Sequence, residues 1–153
     1  MGIRVTADEQ FMREALALAR TASHEGEVPV GAVLVAGGEV VGRGWNAPIA
    51  RRDPTAHAEI AAIREAASRM GNYRLDGADL YCTLEPCVMC AGAIVHARLR
   101  RLVFGARDLR FGGVRSKFQV ADSDVLNHRV EIVEGVLGAE CTELLRAFFA
   151  ARR

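Results

Sequence analysis

Apolar residues recur along the chain with two periods, and the alternation between them predicts helices interleaved with strands. Phe11, Ala15, Leu18 and Ala22 fall at helical spacing. Ahead of them, Thr6-Ala7-Asp8-Glu9 reads as a capping box with Thr6 as N-cap, and Gly26 is the stop. Residues 28–35 are β-rich, Ala36-Gly37-Gly38 is a turn, and residues 39–45 return as a second strand, so the pair forms a hairpin. Asp53-Pro54 opens the next helix, with Asp53 as cap and Pro54 in the first position, and an alanine-rich stretch carries it to about Met70. Residues 80–84 are a third strand, Pro86 starts a third helix reaching about Arg98, and residues 102–104 are a fourth strand. A Gly-rich loop leads to a fifth strand at 130–133. The last helix starts near Ala139, with Leu137, Cys141, Leu144, Leu145 and Phe148 as its apolar stripe. Helices between successive later strands predict an α/β fold: a largely parallel sheet covered on both faces, with an antiparallel hairpin at one side.

Composition narrows the class. Half of the 153 residues are apolar and a quarter are charged, which excludes disordered and collagen-like chains and fits one domain spanning 1–153. The longest apolar run, residues 28–36, is broken by Pro29 and Gly31 and falls short of the ~20 residues a membrane span needs, so no membrane partner is expected. Four cysteines are too few for a disulfide scaffold, and no basic-then-apolar leader opens the chain. Met1-Gly2-Ile3-Arg4-Val5-Thr6 fits the loose N-myristoylation pattern, but Thr6 is better used as a helix cap. The expected compartment is a reducing cytoplasm.

Two motifs carry chemistry: His57-Ala58-Glu59 and Pro86-Cys87-Val88-Met89-Cys90. Cys87 and Cys90 are three apart at a helix start, so their sulfurs face the same way. The helix N-terminus favours negative charge and lowers thiol pKa, which helps supply thiolates. With His57 in the first turn of its own helix, two thiolates and an imidazole suit Zn²⁺ and leave one tetrahedral position open, as catalysis requires. His24, His96, His128, Cys82 and Cys141 lack ligand spacing to the cluster, so no fourth ligand closes it. Residues two apart lie about 200° apart around a helix. His57 and Glu59 therefore converge only on a point off the helix N-terminus, where a Glu touches the reacting water without ligating metal.

His-x-Glu with Pro-Cys-x-x-Cys is the pattern of zinc nucleobase deaminases, tRNA adenosine deaminase among them. The flanks are more specific: Val28-Pro29-Val30-Gly31-Ala32-Val33, Gly44-Trp45-Asn46, Asp53-Pro54-Thr55-Ala56-His57, Thr83-Leu84-Glu85-Pro86-Cys87, Val103-Phe104-Gly105-Ala106-Arg107-Asp108 and Phe148-Phe149. With these the chain resembles the bacterial tRNA-specific adenosine deaminases, within the cytidine deaminase-like superfamily. It departs at residues 110–116, where Arg110, Phe111 and Arg115 are bulkier than the family's usual residues, and at Cys82, where Val or Thr is usual. The resemblance implies a three-layer α/β/α cytidine deaminase-like fold with a five-stranded mixed sheet and an antiparallel N-terminal hairpin. It implies one Zn²⁺ per subunit on His57, Cys87 and Cys90, with Glu59 as proton carrier. Asn46 would hydrogen-bond the target base, and Val30, Pro86 and the Ala58 backbone would line its pocket. Asp108, Arg110, Phe149 and Arg152 match positions near the RNA. The implied reaction turns the wobble adenosine of an arginine tRNA (ACG) anticodon stem-loop into inosine, in a homodimer.

Net charge, +1, says nothing of such a partner, yet it is unevenly placed. Residues 98–117 hold seven basic side chains and one acid, a formal +6 that leaves −5 for the rest. All basic residues but Lys117 are arginine, which pairs phosphates bidentately and stacks on bases. Arg51 and Arg52, and the terminal Arg152-Arg153, add to this. Two other readings stay open: a guanine or cytosine/nucleoside deaminase with the same zinc chemistry, and a non-catalytic zinc-stabilised RNA-binding module.

Overall fold

A computed structural model describes residues 5–152. Positions 1–4 of the N-terminal myristoylation pattern and Arg153 lie outside the described residues. Thr6 does cap the first helix, α1 (Ala7–His24), accepting from Glu9 N at 3.1 Å. The hairpin follows as β1 (Gly31–Ala36) and β2 (Glu39–Trp45), joined through Gly37 and Gly38, both at positive φ. Then come α2 (Pro48–Arg51), α3 (Ala58–Met70), β3 (Asp79–Leu84), α4 (Val88–His96), β4 (Arg101–Ala106), β5 (Glu131–Glu134) and α5 (Gly138–Ala150).

Among the described residues five strands form one sheet in the order β2-β1-β3-β4-β5. β1 pairs antiparallel with both β2 and β3, while β3, β4 and β5 run parallel. Alternate side chains then feed two cores. Leu34, Leu80, Cys82, Leu102 and Phe104 pack under α3 and α4. Val33, Val35, Tyr81 and Val103 pack under α1 and α5 with Met12, Leu16 and Cys141. The result is the expected three-layer α/β/α, cytidine deaminase-like fold with its five-stranded mixed sheet and antiparallel N-terminal hairpin. No helix among the described residues is long and apolar enough to cross a membrane.

Three local expectations are corrected. α3 begins at Ala58, not Pro54, because the Asp53 carboxylate turns back onto Thr55, accepting from its N–H at 2.8 Å and its hydroxyl at 2.7 Å. α4 begins at Val88, because Cys87 is still extended, bridging to Gly112, and the Pro86 carbonyl accepts from Gly113 N. β1 starts three residues later than the β-rich run. The single turn α2 is too short to leave a periodic trace.

Glycines on the hairpin decide how closely α3 sits. A Cβ at Gly42 would collide with Ala62 O, and one at Gly44 with Ala58 O. Their absence lets the helix lie on β2 by its backbone, which sets where its N-terminus points.

Candidate active site

The N-termini of α3 and α4 meet at one point. His57 is the N-cap of α3 (φ −85°, ψ 154°) and Cys87 the N-cap of α4 (φ −73°, ψ 175°), each extended and neither capping its own helix with its side chain. Cys90 stands one turn into α4 and is fully buried. His57 Nδ1 lies 3.6 Å from Cys87 Sγ and 3.5 Å from Cys90 Sγ. Tetrahedral zinc with ~2.05 Å to nitrogen and ~2.3 Å to sulfur holds those donors about 3.6 Å apart. The donor set therefore fits zinc in distance as well as chemistry. Among the described residues no fourth His, Cys, Asp or Glu joins the cluster. Cys82 and Cys141 are buried in the two separate cores, and His128 is engaged with the Leu99 carbonyl at 2.7 Å.

Electrostatics prepare the ligands. The Cys87 thiol is held far below its ordinary value by the bond from Cys90 and then by His57, with both helix dipoles favouring the anion. Cys90, donating to that anion and buried, is pushed up. His57 is raised, chiefly by its bond with Cys87.

Glu59 is 4 % exposed, and burial raises its carboxyl's pKa against the pull of His57. Such a group is poised to hold and release a proton. Because His57 is the cap and Glu59 the second helical residue, the two side chains leave the helix start in different directions yet border the same space. The 200° separation expected within a regular helix does not apply.

That space is a cavity of about 700 Å³. Of the residues expected at the site, Val30, Asn46, His57, Glu59, Cys87, Asp108, Arg110 and Phe149 line it. Ala58 and Pro86 are buried behind its wall, and Cys90 reaches it only through the metal cluster. Arg152 stands apart in a neighbouring hollow with Arg110, Arg146 and Phe149. Its guanidinium lies 3.4 Å from the Phe148 ring centre and donates to the Phe148 carbonyl at 3.1 Å.

Sequence reasoning missed Val28, Leu84, Glu85, Arg107, Leu109, Phe111 and Leu145, which also line the cavity. Glu85 organises one whole wall. Its buried carboxylate accepts from Asp108 N (3.1 Å), Val114 N (3.1 Å), Arg115 N (2.7 Å), Ser116 N (2.9 Å) and the Ser116 hydroxyl. Burial pushes its pKa up, but these donors outweigh burial and hold it below the ordinary value. The Asp108 carboxylate then accepts from Arg110 N and Phe111 N, turning the chain at the mouth. Gly112 is required here, since a Cβ would meet the Glu85 carboxylate. The signal that could have found Glu85 is a glutamate directly preceding the Pro-Cys motif.

Four of the seven cations in the +6 segment are paired by acids from elsewhere in the chain. Arg100 and Arg101 pair with Asp79, Arg101 also with Asp8, Arg107 with Glu134, and Arg115 with Asp122. Arg98 donates to the Asn127 carbonyl. Arg110 and Lys117 have no acidic partner among the described residues.

Comparison with known proteins places this geometry. Residues 5–106 match the family described as the cytidine and deoxycytidylate deaminase zinc-binding region. A tRNA-specific adenosine deaminase of Haemophilus influenzae is 51 % identical over 152 residues, 99 % of this chain and 88 % of the relative. One from Bacillus subtilis is 45 % identical, over 97 % of this chain and 92 % of the relative. A structure solved in studies of A-to-I editing by tRNA:A34 deaminases at the wobble position of transfer RNA superposes with a TM-score of 0.86. It is 47 % identical and covers 89 % of this chain and 99 % of its own. A guanine deaminase from Nitrosomonas europaea superposes with a TM-score of 0.82 at 26 % identity, covering 97 % of this chain and 87 % of its own.

Proposed function

Because the chain belongs to the cytidine and deoxycytidylate deaminase zinc-binding family, and within it to the tRNA-specific adenosine deaminases, we propose that it deaminates the wobble adenosine of an arginine tRNA to inosine. The observation that carries this reading is a three-donor metal site opening into the same cavity as Glu59 and Asn46. His57, Cys87 and Cys90 would hold a zinc ion, which when bound would supply Lewis acidity that lowers the pKa of water toward neutrality.

The chain's own residues do the rest. Glu59 accepts the proton of the attacking water and delivers it to N1 of adenine as oxygen bonds to C6. It then takes the remaining proton from the new C6 hydroxyl and passes it to the exocyclic nitrogen, the C6–N bond breaks as the C6 carbonyl forms, and ammonia leaves. Water is consumed and the ring is left as hypoxanthine. Asn46 offers an amide to the base edge, and Val28, Val30 and Leu84 give the cavity an apolar lining that excludes bulk water. Asp108, Arg110 and Phe149 stand at the side from which RNA enters, with Arg152 beyond them. An anticodon loop is already single-stranded, so its adenosine enters without a pair being broken.

The protein works in the cytoplasm, a reading supported by four free thiols of which two serve as ligands. It acts as a homodimer, supported by α4. Val88 is 46 % exposed there, and a Cβ on Gly92 would meet nothing, so an apolar helix face is left outward. Sedimentation velocity tests the dimer. The function is tested by incubating zinc-loaded protein with an arginine tRNA bearing an ACG anticodon, free adenosine, cytidine and guanine, reading inosine and ammonia. Inosine in the tRNA alone is the expected result. Turnover of guanine or cytidine without RNA assigns the related small-molecule activity instead. Glu59→Ala must keep zinc by metal analysis while losing turnover; turnover near wild type would sink the role given to Glu59.

A further inference from the structure

The segment that follows Asn46 closes a single helical turn with its own backbone, Arg51 N donating to the Ala47 carbonyl and Asp53 N to the Pro48 carbonyl, but has no side-chain cap of its own. Ala47, the N-cap of α2, offers no side-chain oxygen to the free N–H groups of the turn, and Pro48 has none to donate. The next two amides are satisfied from another part of the chain. Ile49 N and Ala50 N donate to the Glu27 carboxylate, at Oε1 (3.3 Å) and Oε2 (2.8 Å). Glu27 is 2 % exposed and immediately precedes Val28, which with Val30 lines the cavity. A buried carboxylate is costly to keep without bonded partners, and these two amides are the partners found. Glu27 does not line the cavity and has no part in the proton transfers.

Asn46 is tied into the same frame. Its N–H donates to the Val30 carbonyl (3.0 Å), and Ala47 N donates to the Ala56 carbonyl (3.0 Å), beside His57. Between those ties the chain loops outward through Ile49, Arg51 and Arg52, all exposed. Besides the turn's own backbone bonds, Glu27 is the side chain that ties the outer part of that loop to the rest of the fold.

We infer that Glu27 is a positioning residue: as the remote cap of α2 it holds Asn46 and the loop beyond it in place for the incoming nucleotide. The inference rests on the reading of the cavity as an adenosine site. The reacting centre is built separately, from the N-termini of α3 and α4. Loss of Glu27 therefore weakens substrate binding and leaves the chemical step nearly intact.

The test measures kcat and KM of the zinc-loaded full chain on an anticodon stem-loop carrying the target adenosine. Glu27→Gln keeps the volume but has one acceptor for two donors, so one amide is orphaned and KM rises about tenfold. Glu27→Ala raises KM further, and Glu27→Asp, which keeps both oxygens, recovers part of the loss. In each, kcat stays within about threefold of wild type, since the interaction lost is the same in ground and transition states. Zinc content and melting temperature are read alongside; where the Ala variant fails to fold, the Gln variant decides. Unchanged KM in the Gln variant, or a fall in kcat at constant KM, overturns the role of Glu27. Absence of stem-loop turnover by wild type overturns the adenosine reading and this inference with it, and is seen before any variant is made.

Discussion

Glu85→Gln isolates the anchor of the cavity's loop wall. The retained oxygen, placed where Oε2 lies, still accepts from Val114, Arg115 and Ser116, while the new amide nitrogen faces Asp108 N–H, which is left without an acceptor. The Ser116 hydroxyl can rotate and accept from that nitrogen instead. An orphaned buried amide costs about 1–3 kcal/mol, and three bonds lose the strengthening that an ionised acceptor gives, about 1 kcal/mol each. Release of the buried carboxylate's desolvation offsets part of this. A net loss of about 2–4 kcal/mol leaves the protein folded, because domains hold about 5–15 kcal/mol. Urea unfolding of the zinc-loaded protein should show a midpoint lowered by roughly 1–2 M with an unchanged slope. Arg110, Arg115 and Lys117 lie on the released wall, so trypsin should cut there faster in the variant than in wild type. A midpoint within roughly 0.3 M of wild type, with equal cleavage, would refute the claim that Glu85 holds this wall.

Gly44→Ala places a methyl in collision with Ala58 O and 2.8 Å from Ala61 Cβ and Ala62 N, so α3 must recede by about 1 Å. Overpacking of that kind costs about 1–3 kcal/mol, and metal ligands tolerate only ~0.2 Å, so chelator competition should show zinc held at least tenfold more weakly. The Asp8 carboxyl is held below its ordinary 3.8 first by its bonds from Arg101. The stability it lends is therefore full above that value and lost as pH falls through the lower folded one. Asp8→Asn should cost about 1 kcal/mol at neutral pH, given partial exposure, and show a flatter acid limb in thermal melts from pH 6 to 2. Titrating stem-loop affinity against salt should give a log–log slope of about −4, for the cations expected at the RNA that have no acidic partner among the described residues (Arg51, Arg52, Arg98, Arg110, Lys117 and Arg152) at ~0.7 each, and not the −7 or so expected when the paired Arg100, Arg101, Arg107 and Arg115 count as well. The steeper value would mean the intramolecular pairs open on binding.

Which features were legible follows from how far each depends on distant partners. The hairpin turn at Gly37-Gly38 and the two metal motifs are local, and they stand where their spacing put them; the stripe of α1 is right at Ala15 and Ala22, but its buried face also runs through Met12, Leu16 and Ala19, with Phe11 and Leu18 half-buried at its edge. The start of α3 was misjudged because an Asp before Pro serves equally as a helix cap or as an Asx turn. The choice fell to the Thr55 hydroxyl. Reading His57 as helical then created a difficulty over Glu59 that the extended cap conformation removes.

Charge was the least legible quantity, because counting along the chain treats every side chain as free. Arg101 illustrates this: its partner Asp8 is 93 residues away, brought beside it only when α1 docks across the sheet. Once Asp8, Asp79, Asp122 and Glu134 are engaged by arginines within the fold, the cations left are individually placed, Arg110 and Lys117 on the loop wall, Arg152 beyond it, and Arg51 and Arg52 on the loop after Asn46. RNA recognition in this protein then depends less on a diffuse basic field than on the positions of two loops. Each loop is fastened by a buried glutamate, Glu27 on one side and Glu85 on the other. The metal chemistry sits between them on helix N-termini that neither glutamate caps; the Glu85 wall still touches it where Cys87 bridges Gly112, whereas the Glu27 loop reaches it only through Ala47 and Ala56, so substrate choice varies more freely on the Glu27 side.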